Sequence, residues 1–557
     1  MTGVEPLVLA IVVVVVITLA SVVSPKLGVA APLVLVAAGL VVSVLPFTPD
    51  PTIDPDLILV GLLPPLLYSS AVNLPAMDFR RDFTMISGFS VVLVIISSLL
   101  LGWMFSAVFP DVDFALGVAL GAIVSPTDAV ATAIVKRQGV SPRVVTVLEG
   151  ESMLNDASAL VLLRSAIAAT ATTISFWAVL GGFVWAVVAA AVVGAVVGYL
   201  SLRVRARIHD DAITTAISFT VPFLAYLPAE HVGGSGLVAA VTAGLVAGHG
   251  APRWLGPTQR LAERLNWRTI EALLEGMVFL LVGLEMSRLI ADAEDGGGGV
   301  GAAALAAAVT LFVAMVIRSV YVVVVVLYHR RRMRRAGDVR GAIDAWNAKI
   351  EHSDHPRADR VRTRLRRASA DYDYYDAERL GRREAIVLVW AGLRGAVTVA
   401  AAQTLPPDTQ HRSSLVLVAF FVAVFSLVVQ GGTMSWLVRA LGLADRDVGA
   451  QQEEWDRLRQ LMTDTALRTV DEADLPAAIR ARLKARATPP DDEGDDEAAA
   501  GAAATAVHMH MAVIDDQRAA LLRERDDGTY SAAALKRMLA ILDADQISLE
   551  LRTRDSE

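Results

Sequence analysis

The stretch Glu149-Gly150-Glu151-Ser152-Met153-Leu154-Asn155-Asp156 sets three carboxylates inside Val144 to Ala169, a mostly apolar run long enough to cross a bilayer. A charge at the bilayer centre costs at least about 3 kcal/mol, so an ionisable residue there is functional by default. From an entry near Val144, Asp156 lies about 18 Å along a helix rising about 1.5 Å per residue. That is close to the middle of a ~30 Å hydrocarbon core. Ser152 and Asp156 are four apart and share a helical face, whereas Glu151 points roughly 140° away from Asp156. The two acids therefore need different partners. The spacing assigns Asp156, with Ser152, to a polar cavity and Glu151 to a buried arginine, with Arg318 the candidate.

The rest of the chain has the composition of a membrane protein. It is 54% apolar, only 6% aromatic, and rich in Val, Ala and Leu runs. The sequence predicts an all-α protein of about thirteen transmembrane helices, each of roughly 20 residues. They are Leu7 to Val23, Leu27 to Phe47, Leu57 to Val72, Phe83 to Phe109, Phe114 to Val135, Val144 to Ala169 and Ile174 to Leu202. There follow Ala212 to Leu227, Val232 to Gly248, Thr269 to Met286, Val300 to Tyr328, Ala385 to Leu405 and Ser413 to Leu441. Basic residues collect on alternate loops, at Lys26, Arg80 and Arg81, Lys136 to Arg143, Arg203 to Arg207, and Arg253 to Arg268. The opposite loops hold Asp50, Asp54, Asp56, Asp111, Asp113, Glu230, Asp292, Glu294 and Asp295 with only Arg288 and Arg412. By the positive-inside rule the N-terminus is outside and the C-terminus cytoplasmic. No basic, cleavable leader precedes Leu7, so the first span reads as retained.

The transmembrane domain is read as 5–441, with a basic cytoplasmic loop at 329–383. Arg330 to Arg332, Arg334 and Arg335 in that loop read as a positive-inside anchor near lipid headgroups. A cytoplasmic tail, 444–557, looks helical at Gln452 to Met462 and Ala519 to Leu551, around a disordered Pro-, Asp/Glu- and Ala-rich linker at about 487–505. The net charge of −8 comes largely from this tail, and no feature suggests nucleic-acid binding. The absence of cysteine excludes disulfides, thiolate metal sites and cysteine nucleophiles. No cofactor motif occurs.

A second carboxylate lies in the fifth span, within Ser125-Pro126-Thr127-Asp128. Pro126 removes one backbone bond, so Thr127 and Asp128 set a hydroxyl and an acid beside freed carbonyls, an oxygen-rich cation site. In the twelfth span Gly392-Leu393-Arg394-Gly395 puts two helix-weakening glycines and a positive charge in an apolar run. Arg394 there is suited to neutralising exposed carbonyl ends. If spans one to six and eight to thirteen are repeats, the odd spacing makes them inverted and the two interruptions equivalent. Interrupted helices at matching places of inverted halves point to a transporter's midplane site.

Four motifs carry a resemblance: SPTDAVA at Ser125 to Ala131, EGESMLNDASAL at Glu149 to Leu160, FLLVGLEM at Phe279 to Met286, and GLRGAV at Gly392 to Val397. Over roughly residues 5 to 440 the chain resembles the bacterial sodium/proton antiporters of the monovalent cation:proton antiporter family, of NhaP and NHE type. The resemblance implies an inverted-repeat antiporter fold with a core and a dimerisation domain, normally a homodimer in the cell membrane. It implies that Asp156 is the ion- and proton-binding aspartate, with Thr127, Asp128 and Ser152 as further cation contacts. A monovalent cation would sit at Asp128 and Asp156. Asn155 matches the ND form associated with electroneutral exchange, Glu151 and Arg318 a buried ion pair, and Arg394 the arginine where broken helices cross. Ala129 departs from members with proline there, and Glu275 is an acid where many relatives are neutral.

Competition is the implied mechanism, the cavity holding either a proton or a dehydrated cation. Another secondary transporter or a channel on this fold is the alternative. An intramembrane hydrolase is disfavoured because no GxSxG or HExxH occurs. Na⁺, K⁺ and Li⁺ differ in dehydration cost and cavity size rather than in ligand type, so residue identities alone do not separate them.

Overall fold

The computed structural model describes residues 5–27, 30–44, 55–109, 112–171, 176–295, 299–351, 358–406, 408–444, 448–473 and 500–554. Every regular element among the described residues is helical. Two compact units divide the chain. The first comprises Met1–Leu255, Ala262–Arg330 and Leu380–Arg446; the second comprises Gly256–Leu261, Arg331–Arg379 and Asp447–Glu557. The connection at 331–379 thus groups with the tail.

The first unit begins with α1 (Glu5–Leu27), α2 (Ala31–Ser43), α3 (Leu57–Asn73) and α4 (Ala76–Val108). Then come α5 (Phe114–Val124), α6 (Ala129–Arg137), α7 (Pro142–Ala171), α8 (Phe176–Arg205), α9 (Asp211–His231) and α10 (Gly236–Trp254). It continues through α11 (Pro257–Asp295) from Ala262 on, α12 (Val300–Glu351) as far as Arg330, α14 (Arg382–Trp390), α15 (Ala396–Gln403) and α16 (Arg412–Ala440), with α13 (Ala358–Ala377) belonging to the second unit. Among the described residues, six stretches are long and apolar enough to cross a membrane: Ala76–Val108, Phe114–Arg137, Trp177–Arg205, Asp211–His231, Val300–Arg331 and Arg412–Ala440. The span at Phe114–Arg137 is 78% buried and that at Arg412–Ala440 72%, against 17% for Trp177–Arg205, so the first two stand innermost and the last at the periphery. α7 packs along α5 and α6, and α15 packs on α5 and α16. Their apolar cores place Ile123, Val124, Ala157, Val399, Phe420 and Leu427 together.

Helix lengths exceed the hydropathic spans where the flanking polar residues are good helix formers. α12 runs 52 residues, so the first part of the expected basic loop is continuous helix. The side chains at 332–360 lie outside the described residues, as do 45–47 at the end of the second span, Asp50, Asp54, Asp111 and the linker at 487–499.

In the second unit α17 (Val448–Glu472), α18 (Ala500–Asp527) and α19 (Ala532–Arg554) pack on one another and α13 packs on α18, and Ala466, Val470, Met509 and Val513 form a small core. Two expectations are corrected here. Ala500 to Thr505, expected as disordered linker, begins α18, because an alanine-rich run has high helix propensity. The single helix expected over Ala519 to Leu551 is two, divided where Gly528 takes a left-handed φ of 77°.

Candidate functional site

The site forms where two non-helical segments, 125–128 and 391–395, meet the middle of α7. After Pro126 the chain restarts as α6 because Asp128 caps it, its Oδ1 accepting the Val130 N–H at 3.0 Å. The Asp128 N–H donates to the Leu393 carbonyl of the other segment at 2.7 Å. In return the Arg394 guanidinium donates to the Ser125 carbonyl and, at 3.1 Å, to that of Pro126. The Arg394 N–H is held by Ser426 Oγ at 2.7 Å, and that hydroxyl donates to Gln430 at 2.6 Å. Each segment thus supplies the hydrogen-bond partners that the other lacks. Gly395 is required for this approach: a Cβ there would lie 1.7 Å from Asp128 Oδ2. One at Gly392 would lie 2.6 Å from Arg318 Cδ.

On α7, Glu151 is bonded by both terminal nitrogens of Arg318, one at 2.8 Å, with the two side chains 2–3% exposed. Arg318 also donates to the Leu388 carbonyl at 2.8 Å and lies 5.5 Å from the Phe89 ring. A polar chain continues from this pair. Thr127 Oγ1 donates to Glu151 at 3.3 Å and accepts from the Asn155 side-chain amide at 2.5 Å. Two hydrogen bonds therefore already engage the Thr127 hydroxyl. Ser152, on the face of Asp156, donates to the Glu149 carbonyl at 3.3 Å.

What remains is Asp156. It is 7% exposed, and its Oδ1, like Asn155 Oδ1, is buried without a hydrogen-bond partner. Asp128 is the neighbouring charge that acts on it. Two like charges and two orphaned oxygens make a ready receptor for a cation or a proton, since an unmet buried acceptor costs about 1–3 kcal/mol. Glu275 is half-buried on α11 within electrostatic reach of Asp128 and Glu271, which places it near this site.

The sodium/hydrogen exchanger transmembrane family matches residues 11–440. The chain belongs to the sodium/hydrogen exchanger family. Its activity is Na⁺/H⁺ antiport, and it is a multi-pass membrane protein. The exchanger is 27% identical over 570 residues, 98% of its length and 97% of the relative's, to an uncharacterized Na⁺/H⁺ exchanger of Mycobacterium bovis. Against the uncharacterized exchanger YjcE of Escherichia coli it is 34% identical, over 46% of this chain and only 49% of that relative. The Na⁺/H⁺ antiporter NhaH of Halobacillus aidingensis is 29% identical over 69% of this chain and 82% of its own. Among solved structures, the sodium proton antiporter MjNhaP1 of Methanocaldococcus jannaschii superposes with a TM-score of 0.54 at 16% identity. That match covers 78% of this chain and 99% of the other, and shows a shared fold.

The sequence did not reveal several buried pairs. Arg143, counted as a loop charge, is fully buried and bonded to Asp82 at 3.0 Å. Arg205, counted likewise, pairs with Glu263. Glu285, inside the FLLVGLEM motif, accepts from Gln403 at 2.9 Å and so joins α11 to α15. A buried acid within an apolar span was the available signal for Glu285.

Proposed function

We propose that the exchanger works by competition at Asp156 and alternating access, trading one Na⁺ for one H⁺ across the cell membrane. The observation that carries this reading is the buried, unpartnered Asp156 oxygen beside a second carboxylate, Asp128, with Glu151, Arg318 and Arg394 already engaged. Glu151 and Arg318 cancel, and Arg394 serves the carbonyls of the 125–128 segment. Asp128 and Asp156, with Ser152 and the remaining Thr127 lone pair, then hold the cation. Asn155 orients Thr127 and leaves its own carbonyl oxygen free for the ion.

An empty Asp156 is a bare charge in a low-dielectric interior, whereas a proton or Na⁺ removes most of that penalty. Loaded states therefore cross and empty ones do not, which couples the two fluxes without ATP or a cofactor. In this reading the chain has about thirteen spans with the fifth and twelfth broken and the halves inverted. The N-terminus faces outward, the tail is cytoplasmic, and two copies associate. Asp156→Asn should insert normally yet abolish Na⁺-dependent ΔpH dissipation in everted vesicles. Retained exchange at wild-type rate would remove the assignment.

A further inference from the structure

Ser152, Asp156, Leu160 and Arg164 recur every fourth residue on α7 and so form one stripe running from the ion site toward the C-terminal end of that helix. At that end Arg164 donates to Glu230 Oε2 of α9 at 2.8 Å. Glu230 is itself held, because its Oε1 accepts the Gly236 N–H at the start of α10 at 2.9 Å. Beneath the pair is a small cavity lined by Leu59, Leu160, Val161, Tyr226 and Leu237, with Arg164 and Glu230 in its wall. The pair therefore joins the helix that carries Asp156 to the helix pair α9–α10, beside a small cavity that also touches Leu160 of the stripe.

We propose that Arg164 and Glu230 form the outer gate of the ion path, closed in this conformation, and that Leu160 is the apolar step between that gate and Asp156. The inference rests on the alternating-access reading and on the outward placement of Glu230. The side chains are 58% and 28% exposed, so the contact is a weak one that thermal motion can open. A gate needs that property, since a fully buried pair would lock the transporter. Tyr226 stands beside the guanidinium and keeps it over the cavity. Opening separates Arg164 from Glu230 while Glu230 stays with α10, so α7 moves and α9–α10 remains the fixed wall.

The chain has no cysteine, so Leu160→Cys, or Val161→Cys should that variant fail to insert, is a single reporter. Its modification by a membrane-impermeant methanethiosulfonate is followed from the outside in right-side-out vesicles and from the inside in everted ones. Arg164→Gln and Glu230→Gln should each speed outside labelling about two- to fivefold, the range a surface ion pair supplies, without speeding inside labelling. Arg164→Lys, which keeps the charge, should label close to the wild-type rate. Unchanged outside labelling in both glutamine variants, an equal rise from both sides, or a lysine variant as fast as the glutamine one overturns the gate. Adding Asp156→Asn separates the two readings: abolished exchange with the labelling differences intact supports both. Retained exchange with those differences removes the site assignment and leaves the gate.

Discussion

Replacing Glu151 with glutamine removes a charge from a pair whose side chains are only 2–3% exposed, and leaves the Arg318 guanidinium buried opposite a neutral amide. Breaking such a pair from one side costs about 3–5 kcal/mol, most of it the desolvation of the abandoned charge. The lower end applies here, because Arg318 keeps the Leu388 carbonyl at 2.8 Å and the Phe89 ring at 5.5 Å. About 3 kcal/mol is a factor on the order of 100 in the folded-to-unfolded ratio. Equilibrium unfolding of the detergent-solubilised protein by SDS, monitored by circular dichroism, reads it directly. The same variant weakens the acceptor of Thr127, which in turn holds Asn155, so exchange should fall beyond the loss of protein. The double variant Glu151→Met, Arg318→Met should be more stable than either single replacement, since no charge is then stranded. A Glu151→Gln protein within about 1 kcal/mol of wild type, or a double variant worse than both singles, would refute the argument.

Gly395→Ala should insert but lose most exchange activity, because its Cβ would occupy the position of Asp128 Oδ2 and drive that carboxylate from the site; vesicle ΔpH assays measure this. If proton and Na⁺ compete for Asp156, lowering pH on the Na⁺ side should raise the apparent KM for Na⁺ at constant Vmax, and a falling Vmax at fixed KM would contradict competition. In the second unit Asp543 is bonded to Arg260 and to Arg518, whose pKa is lowered by burial and by the Arg260 charge. Asp543→Asn leaves two guanidinium groups facing one another and should speed amide hydrogen exchange in α18 and α19.

Local rules made much of this molecule legible. Asp156 was visible because a carboxylate in an apolar run has no inexpensive explanation. The segment at 125–128 was visible because proline and an N-capping aspartate announce where a helix stops and restarts. Less was legible where pairing is remote in sequence. Arg143 and Asp82 are 61 residues apart, and Arg205 and Glu263 are 58 apart, so no periodicity connects them and each arginine looked like an ordinary loop charge. Helix ends were also misjudged, since hydropathy sees only the apolar part of a helix such as Val300–Glu351. Thr127 illustrates a subtler gap. Its residue type suggested a cation ligand, but only the fold shows that its hydroxyl already links Asn155 to Glu151.

The reciprocal bonding of segments 125–128 and 391–395 has a further consequence, for heredity. The Asp128 amide depends on Leu393, and the carbonyls of Ser125 and Pro126 depend on Arg394, across more than two hundred and sixty residues of chain. A substitution that straightened one segment, such as Pro126→Ala, would strand polar groups in the other within a medium that offers no water to replace them. Divergence of either segment alone is thereby penalised. The two should drift as a pair, and their signature should be correlated replacement at 126, 128, 394 and 395.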